Sequence, residues 1–246
     1  MATKVEPEKL IKGNITKEPA PKTPHYRDAW IANVNKHNSS KPHPFCHGIQ
    51  MDTHHLISEK AIAGCESDLQ EILIDKGYDI NSLDNLVGIP ATFRGACHLG
   101  VQVHRGDHKF SKNQFEEIKN FNYHREVKKL IVASKEEILQ CNWTTEKVQG
   151  KRHIHEKIMD PISQEILDDI IDFSLPLTSI HSNFNRKNKP YVGCGQAEKV
   201  GSVNAHDKHC QSNGKHFGEV DVRPGKSHRL DSPINFKQSW VLERKI

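Results

Sequence analysis

No apolar run in this chain approaches the roughly 20 residues that span a bilayer, and the mean hydropathy is −0.69. A helical membrane span is therefore not expected, nor a membrane partner. Hydrophobic residues make up only 35% of the 246 and charged ones 27%. That describes a polar chain with a modest core, long enough for one large domain or two small ones. The opening stretch, MATKVEPEKLIKGNITKEPAPKTP, lacks the apolar h-region of a signal peptide, so Sec-type export from this start is not expected. None of the cysteines (Cys46, Cys65, Cys97, Cys141, Cys194 and Cys210) forms a C-x2-C pair, which removes a zinc knuckle of the usual spacing. Reduced thiols are the default. Charge is not extreme either: a net +4 and a pI near 8.6 permit a nucleic-acid partner without requiring one. There is no internal repeat.

Histidine, by contrast, is abundant. The 17 histidines are unevenly placed, with none between His55 and His98 and none between His124 and His153. Imidazole supplies both metal ligands and proton transfer near neutral pH, so the clusters carry the question of function.

Residues 1–42 read as a flexible leader rich in Lys, Glu and Pro, with a short helix over YRDAWIANVNK. HGIQMDTHHLIS has room for a strand or irregular arm ending at Ser58, a helix-capping residue. SEKAIAGCESDLQEILIDKG follows as helix, with Leu69, Ile72 and Leu73 at helical spacing and Gly77 as its stop. Leu86, Val87 and Ile89 predict a short strand after an Asn/Asp-rich turn. A helix is expected to begin near Val103 and another to cover about 121–139. DPISQEILDDIIDFSLPL is an amphipathic helix with Pro161 in its first turn and Ile162, Ile166, Leu167, Ile170 and Ile171 on one side. Three segments result: the leader 1–42, a domain at 43–148, and a largely irregular, polar C-terminal extension at 149–246, with few apolar runs from His181 onward, either separate or packed on the first part.

Within 43–148 the polar residues fall in a suggestive order: His54-His55, then Asn85, then His104 and His108. On a helix the i, i+4 spacing of the last two would stack both imidazoles on one face, close enough to share a metal. A third ligand from elsewhere would leave an open coordination position. Adjacent side chains diverge, so if one member of the His pair turns to a metal its neighbour stays unligated. Such an imidazole, with an intrinsic pKa near 6.5, is a competent general base.

These residues resemble the AHH group of the HNH/endonuclease VII-like nucleases, over roughly residues 50–130. THHLIS is similar to the family's Ala-His-His-Leu-Ile/Val-Pro, GYDINSLDNLVGIP to its Asn-containing block, VHRGDH to its Val-His-x-x-x-His, and FNYHREV to the Tyr-containing helix that ends its core. Thr53 stands for the family's Ala and Ser58 for its Pro. The resemblance implies an α+β fold: a ββα-metal nuclease core surrounded by helices, with a hairpin carrying His54, His55 and Asn85 and a helix carrying the metal histidines. It implies His55 as general base, Asn85 as the residue that braces the loop and orients that base, and His54, His104 and His108 as ligands of one divalent ion (Mg²⁺, Mn²⁺, Zn²⁺ or Ni²⁺). An all-imidazole set favours Zn²⁺, Ni²⁺, Co²⁺ or Mn²⁺ in affinity, whereas Mg²⁺ prefers oxygen. Arg105, Lys109 and Lys112 are placed to neutralise substrate phosphates.

The implied activity is metal-assisted hydrolysis of DNA phosphodiester bonds. RNA on the same fold is an alternative, as is a non-catalytic zinc-stabilised module that binds nucleic acid without cutting it. A metalloprotease with the HExxH spacing is ruled out by Arg105 where the catalytic Glu must stand. By analogy with the family, the chain is an antibacterial effector toxin, made in the bacterial cytoplasm and secreted into a target cell through a carrier or adaptor. A cognate immunity protein would then present carboxylates to the basic site. Elsewhere, His98 is an alternative ligand, His124 structural or substrate-facing, Asp52 and Asp84 turn or cap residues, and Asp107 solvent-facing. Cys194, His206, His209 and Cys210 are candidates for a second zinc ion.

Overall fold

Leu86-Val87-Gly88-Ile89-Pro90 is an unbroken short apolar run, the pattern of a strand covered on both faces. The computed structural model describes residue 15 and residues 24–113, 117–141, 147–148, 151–189, 191–195, 209–220 and 233–245. In it the run forms β2 (Leu86–Pro90), antiparallel to β1 (Met51–His55), with Met51 opposite Pro90 and His55 opposite Leu86. Two strands alone are marginal in water, and here helices cover them. Helix α1 (Tyr26–His37) lays Trp30 directly on Gly88, where a Cβ would fall 2.1 Å from Trp30 Cζ2. The C-terminal tail adds a bridge between Val87 and Arg244.

The strands are not joined by a hairpin turn. Between them lie α2 (Glu59–Ala63) and α3 (Ser67–Asp75), two helices where the sequence suggested one. Ser58 caps α2 by accepting from the Ala61 N–H at 3.2 Å, and Gly77, at φ +71°, stops the chain after α3. After β2, Thr92 caps α4 (Phe93–Leu99) and Gly100, at φ +72°, ends it. The helix expected to begin near Val103 therefore lies earlier, and residues 101–108 are loop and turn. A small hairpin follows, β3 (Lys109–Lys112) with β4 (Lys119–Asn122), in which Phe110 stacks on Phe121. Then come α5 (Tyr123–Ala133), α6 (Lys135–Gln140), the short pair β5 (Lys147–Val148) and β6 (Lys151–Arg152), and α7 (Asp160–Ile171). A wide helical turn at 154–159 leads into α7, which buries Ile162, Ile166, Leu167 and Ile170 as its periodicity predicts.

One buried cluster joins Trp30 and Val34 of α1, both strands of the first sheet, Val127 and Ile131 of α5, the apolar face of α7, and Phe236 and Leu242 near the C-terminus. Described residues from all three segments, 1–42, 43–148 and 149–246, thus share a core. A smaller cluster, including Phe93, Cys97, Phe184, Val192, Cys194 and Cys210, lies where the extension covers α4. The fold is α+β, and after α7 the described residues form, besides the bridge at Arg244, only a short helical turn at 181–184 and isolated turns. No helix among the described residues is long and apolar enough to cross a membrane.

Candidate metal centre and active-site cleft

His54 and His55 end β1, where the alternation of a strand sends neighbouring side chains to opposite sides. His54 goes to His104 and His108; His55 goes to Tyr26 of α1, with ring centroids 4.4 Å apart. The i, i+4 pair meets across a turn rather than along a helix. Gly106 takes φ +77° and His108 φ +60°, and β3 begins at the next residue. A left-handed His costs roughly 1–3 kcal/mol, and the backbone at 106 suits a glycine. The His104 N–H donates to Pro90 O at 2.8 Å, which anchors this loop to the end of β2.

One ring nitrogen from each of His54, His104 and His108 lies within 4.8 Å of the other two. His54 Nδ1 and His104 Nε2 are 3.0 Å apart. Tetrahedral coordination with metal–nitrogen bonds of about 2.0 Å requires about 3.3 Å between ligand nitrogens. The outward nitrogen of each ring faces an acceptor. His54 Nε2 is 3.0 Å from Tyr123 Oη, whose own proton goes to Leu56 O at 2.6 Å. His108 Nδ1 is 3.1 Å from Leu177 O, and His104 Nδ1 is 3.5 Å from the Asp52 carboxylate. With the protons outward, three lone pairs converge, a repulsive arrangement that a cation relieves and that orients each ligand. Burial, then the neighbouring His104 and His108 rings, hold His54 well below the ordinary histidine range. Burial, then His104, push His108 down to about 3. Both stay neutral and able to ligate. Burial likewise holds the Tyr123 phenol well above its usual range, so it keeps its proton.

His55 is outside this group and buried beside it. Its Nε2–H donates to Asn81 Oδ1 at 3.0 Å, which puts a proton on Nε2. Asn85 does not contact His55 in this way. Its Nδ2 donates to Ile57 O and Ile80 O, both at 2.9 Å. Its Oδ1 accepts from the Ile57 N–H at 2.7 Å and from Ser163 Oγ at 3.0 Å. Asn85 is therefore a brace for the chain after β1 and for the turn that carries Asn81, and the side chain holding His55 is Asn81.

The histidines open into a cleft of about 260 Å³, also lined by Tyr26, Lys60, Asp107 and His124. Exposed Lys60 stands there, while Lys109 and Lys112 are exposed along β3. Arg105 lies over the Phe93 ring, 4.8 Å from its centroid. His124 Nδ1 is 2.7 Å from Ser58 Oγ, so the Ser that replaces the family's Pro both caps α2 and holds a cleft histidine. Asp52, expected in a turn, instead sits in β1 behind His104, and Asp84 is held by Lys245. His98 is no alternative ligand. Its Nε2–H donates to Phe236 O at 2.7 Å and its Nδ1 accepts from the His216 N–H at 3.1 Å, which uses both nitrogens. Asn81, Tyr123, Asp52 and Lys60 were not singled out from sequence as parts of the site. The first three lie in or next to quoted motifs, but only the fold shows which histidine each one touches.

The expected second zinc group is corrected in part. Cys194 and Cys210 do meet, but with Cys97 and His216. His209 is exposed, with Nδ1 3.0 Å from Tyr191 O, and His206 lies outside the described residues.

Neither the curated proteins nor the solved structures include a match to this chain. Residues 35–166, just over half of the 246, match a family described as a nuclease family of the HNH/ENDO VII superfamily with conserved AHH. That span contains both strands of the first sheet, the histidine triad, His55 and Asn85. The chain belongs to the AHH nuclease family of the HNH/ENDO VII superfamily.

Proposed function

We propose that this nuclease is a metal-dependent endonuclease that hydrolyses DNA, with His54, His104 and His108 as the ligands of one divalent ion and His55 as general base. The observation that carries the reading is the set of three imidazoles, His54 and His108 buried and His104 half-buried, whose outward nitrogens each face an acceptor and whose inward nitrogens converge. His54, His104 and His108 would hold a divalent ion, which would supply Lewis-acid stabilisation of the negative charge that grows at the phosphodiester. His55 takes the proton of the attacking water, with its Nε2 proton held by Asn81. Lys60 at the cleft, and Lys109 and Lys112 beyond it, offer cations to neighbouring phosphates. Arg105 is half-buried over Phe93 and contributes to the same positive field from the side. An external water as nucleophile needs no 2′-hydroxyl, which makes DNA a sufficient substrate.

The test incubates supercoiled plasmid and total RNA with the purified chain and Mg²⁺, Mn²⁺, Ni²⁺ or Zn²⁺, beside EDTA and His55→Ala controls. Plasmid loss that needs metal and falls by about 10²–10⁴-fold in His55→Ala supports the reading. Loss of RNA alone moves the substrate, and no cleavage with any metal refutes it. The effector-toxin role, with secretion through a carrier and neutralisation by an immunity protein, rests on the family resemblance. Growth arrest on bacterial expression of the wild type, relieved in His55→Ala, is the expected outcome.

A further inference from the structure

We infer that Cys97, Cys194, Cys210 and His216 form a second, structural zinc site that fastens the C-terminal extension to α4. The four come from three separate pieces of chain: α4, the turn at 191–195 and the segment 209–220. One ligand atom from each lies within 4.8 Å of all the others. His216 Nε2 is 3.4 Å from Cys194 Sγ and 3.4 Å from Cys210 Sγ. A tetrahedral zinc with Zn–S of about 2.3 Å and Zn–N of about 2.0 Å requires about 3.5 Å between such atoms. All four residues are buried, and Cys3His is a closed donor set of the structural kind.

The surroundings suit a charged centre better than three plain thiols. His216 Nδ1 is 3.0 Å from the Glu219 carboxylate, which puts the proton on Nδ1 and turns the Nε2 lone pair toward the sulfurs. The Gly214 N–H points at Cys210 Sγ at 3.4 Å, and Tyr191 Oη lies 3.3 Å from Cys97 Sγ. Three thiolates around Zn²⁺ leave one negative charge. The Arg186 guanidinium faces it across the carbonyls of Cys97, His98 and Gly214, at 3.2, 2.6 and 3.2 Å. Binding forms three Zn–S bonds and one Zn–N bond and releases three thiol protons to solvent. Gly193 is held to glycine by the closeness of the cluster: at φ +66°, its Cβ would lie 2.7 Å from Cys97 Sγ and 2.8 Å from Cys210 Cβ.

The consequence for the fold is specific. The second core cluster is small, and the described residues of the extension that complete it, in 180–195 and 209–220, have little regular structure of their own. A metal crosslink supplies ordering that so small a core does not. It also steadies α4, which leads into the loop carrying His104. This site contains sulfur and the histidine triad contains none, so the two readings fail separately.

The test replaces zinc with Co²⁺ in the full chain and records the absorption spectrum. We expect sulfur-to-cobalt charge-transfer bands and tetrahedral ligand-field bands in the wild type. They should persist, with roughly one metal equivalent per chain, in a His54→Ala/His104→Ala variant that no longer cleaves. Cys194→Ser should lose them. A wild-type cobalt protein without charge-transfer bands overturns the inference even if every cysteine variant misfolds. So does a triad variant that retains no metal, or a disulfide found among these cysteines in place of metal.

Discussion

Removing a single oxygen from Tyr123 tests the logic of the metal centre. In Tyr123→Phe the ring keeps its buried place, but the acceptor facing His54 Nε2 at 3.0 Å and the donor to Leu56 O at 2.6 Å both vanish. Both partners are buried, and a stranded buried polar group costs about 1–3 kcal/mol. The fold should lose about 2–4 kcal/mol in the absence of metal. The metal effect is distinct. Without the phenol, nothing holds the His54 proton on Nε2, and the tautomer with Nδ1 protonated cannot ligate. Loss of such an outer partner weakens metal binding about 10–100-fold. The assay is plasmid cleavage against metal concentration: the half-saturating concentration should rise by about that factor, while the rate at saturating metal recovers to near wild type. An unchanged metal dependence would refute the tautomer argument. A rate that stays low at saturating metal would refute it differently, by placing Tyr123 in the chemistry.

Asn81→Ala removes the acceptor facing His55 Nε2, so we expect about a tenfold lower cleavage rate with metal dependence unchanged; movement of the metal dependence alone would count against it. Asn85→Ala strands four partners, two carbonyls, an N–H and a hydroxyl, and should cost about 3–5 kcal/mol by urea unfolding; a loss under about 1 kcal/mol would remove it as the brace. His43 is pushed down to about 4 by burial, then by Lys41 and His47, against an ordinary 6.5. The unfolded chain therefore binds this proton more readily between pH 6.5 and 4, and stability is lost as the pH falls through that window, by about 3 kcal/mol. His43→Phe keeps a ring between Trp30 and Trp240 and should flatten the dependence by that amount; equal slopes in the two proteins would contradict it.

Much of the site was legible because its signals are local. Strand alternation parts His54 from His55 wherever the strand goes, and the apolar run at 86–90 has to be buried. The period of 162–171 is that of a helix with one buried face, and Ser58 caps the helix after it. The i, i+4 spacing of His104 and His108 was ambiguous, because a helical turn and a tight turn both bring such residues together. Gly106 and His108, both at positive φ, decide for the tight turn, and positive φ at a histidine is set by its surroundings rather than by its own preference.

Other features were beyond local reading. Trp30 sits in a stretch that looked like leader, and it is buried because Gly88 leaves a place for it on β2. Asn81, Tyr123 and Asp52 gain their roles from which nitrogen of which histidine they face. The Cys97, Cys194, Cys210 and His216 cluster has no recognisable spacing because its parts come from three segments. The sequence by itself determined the family, the apolar strand at 86–90 and the histidines that the fold draws together, since these depend on short-range pattern and residue chemistry. Only the tertiary structure decided the tautomers, the brace and the second cluster, since these depend on contacts between residues far apart in the chain, brought together by burial of the shared core.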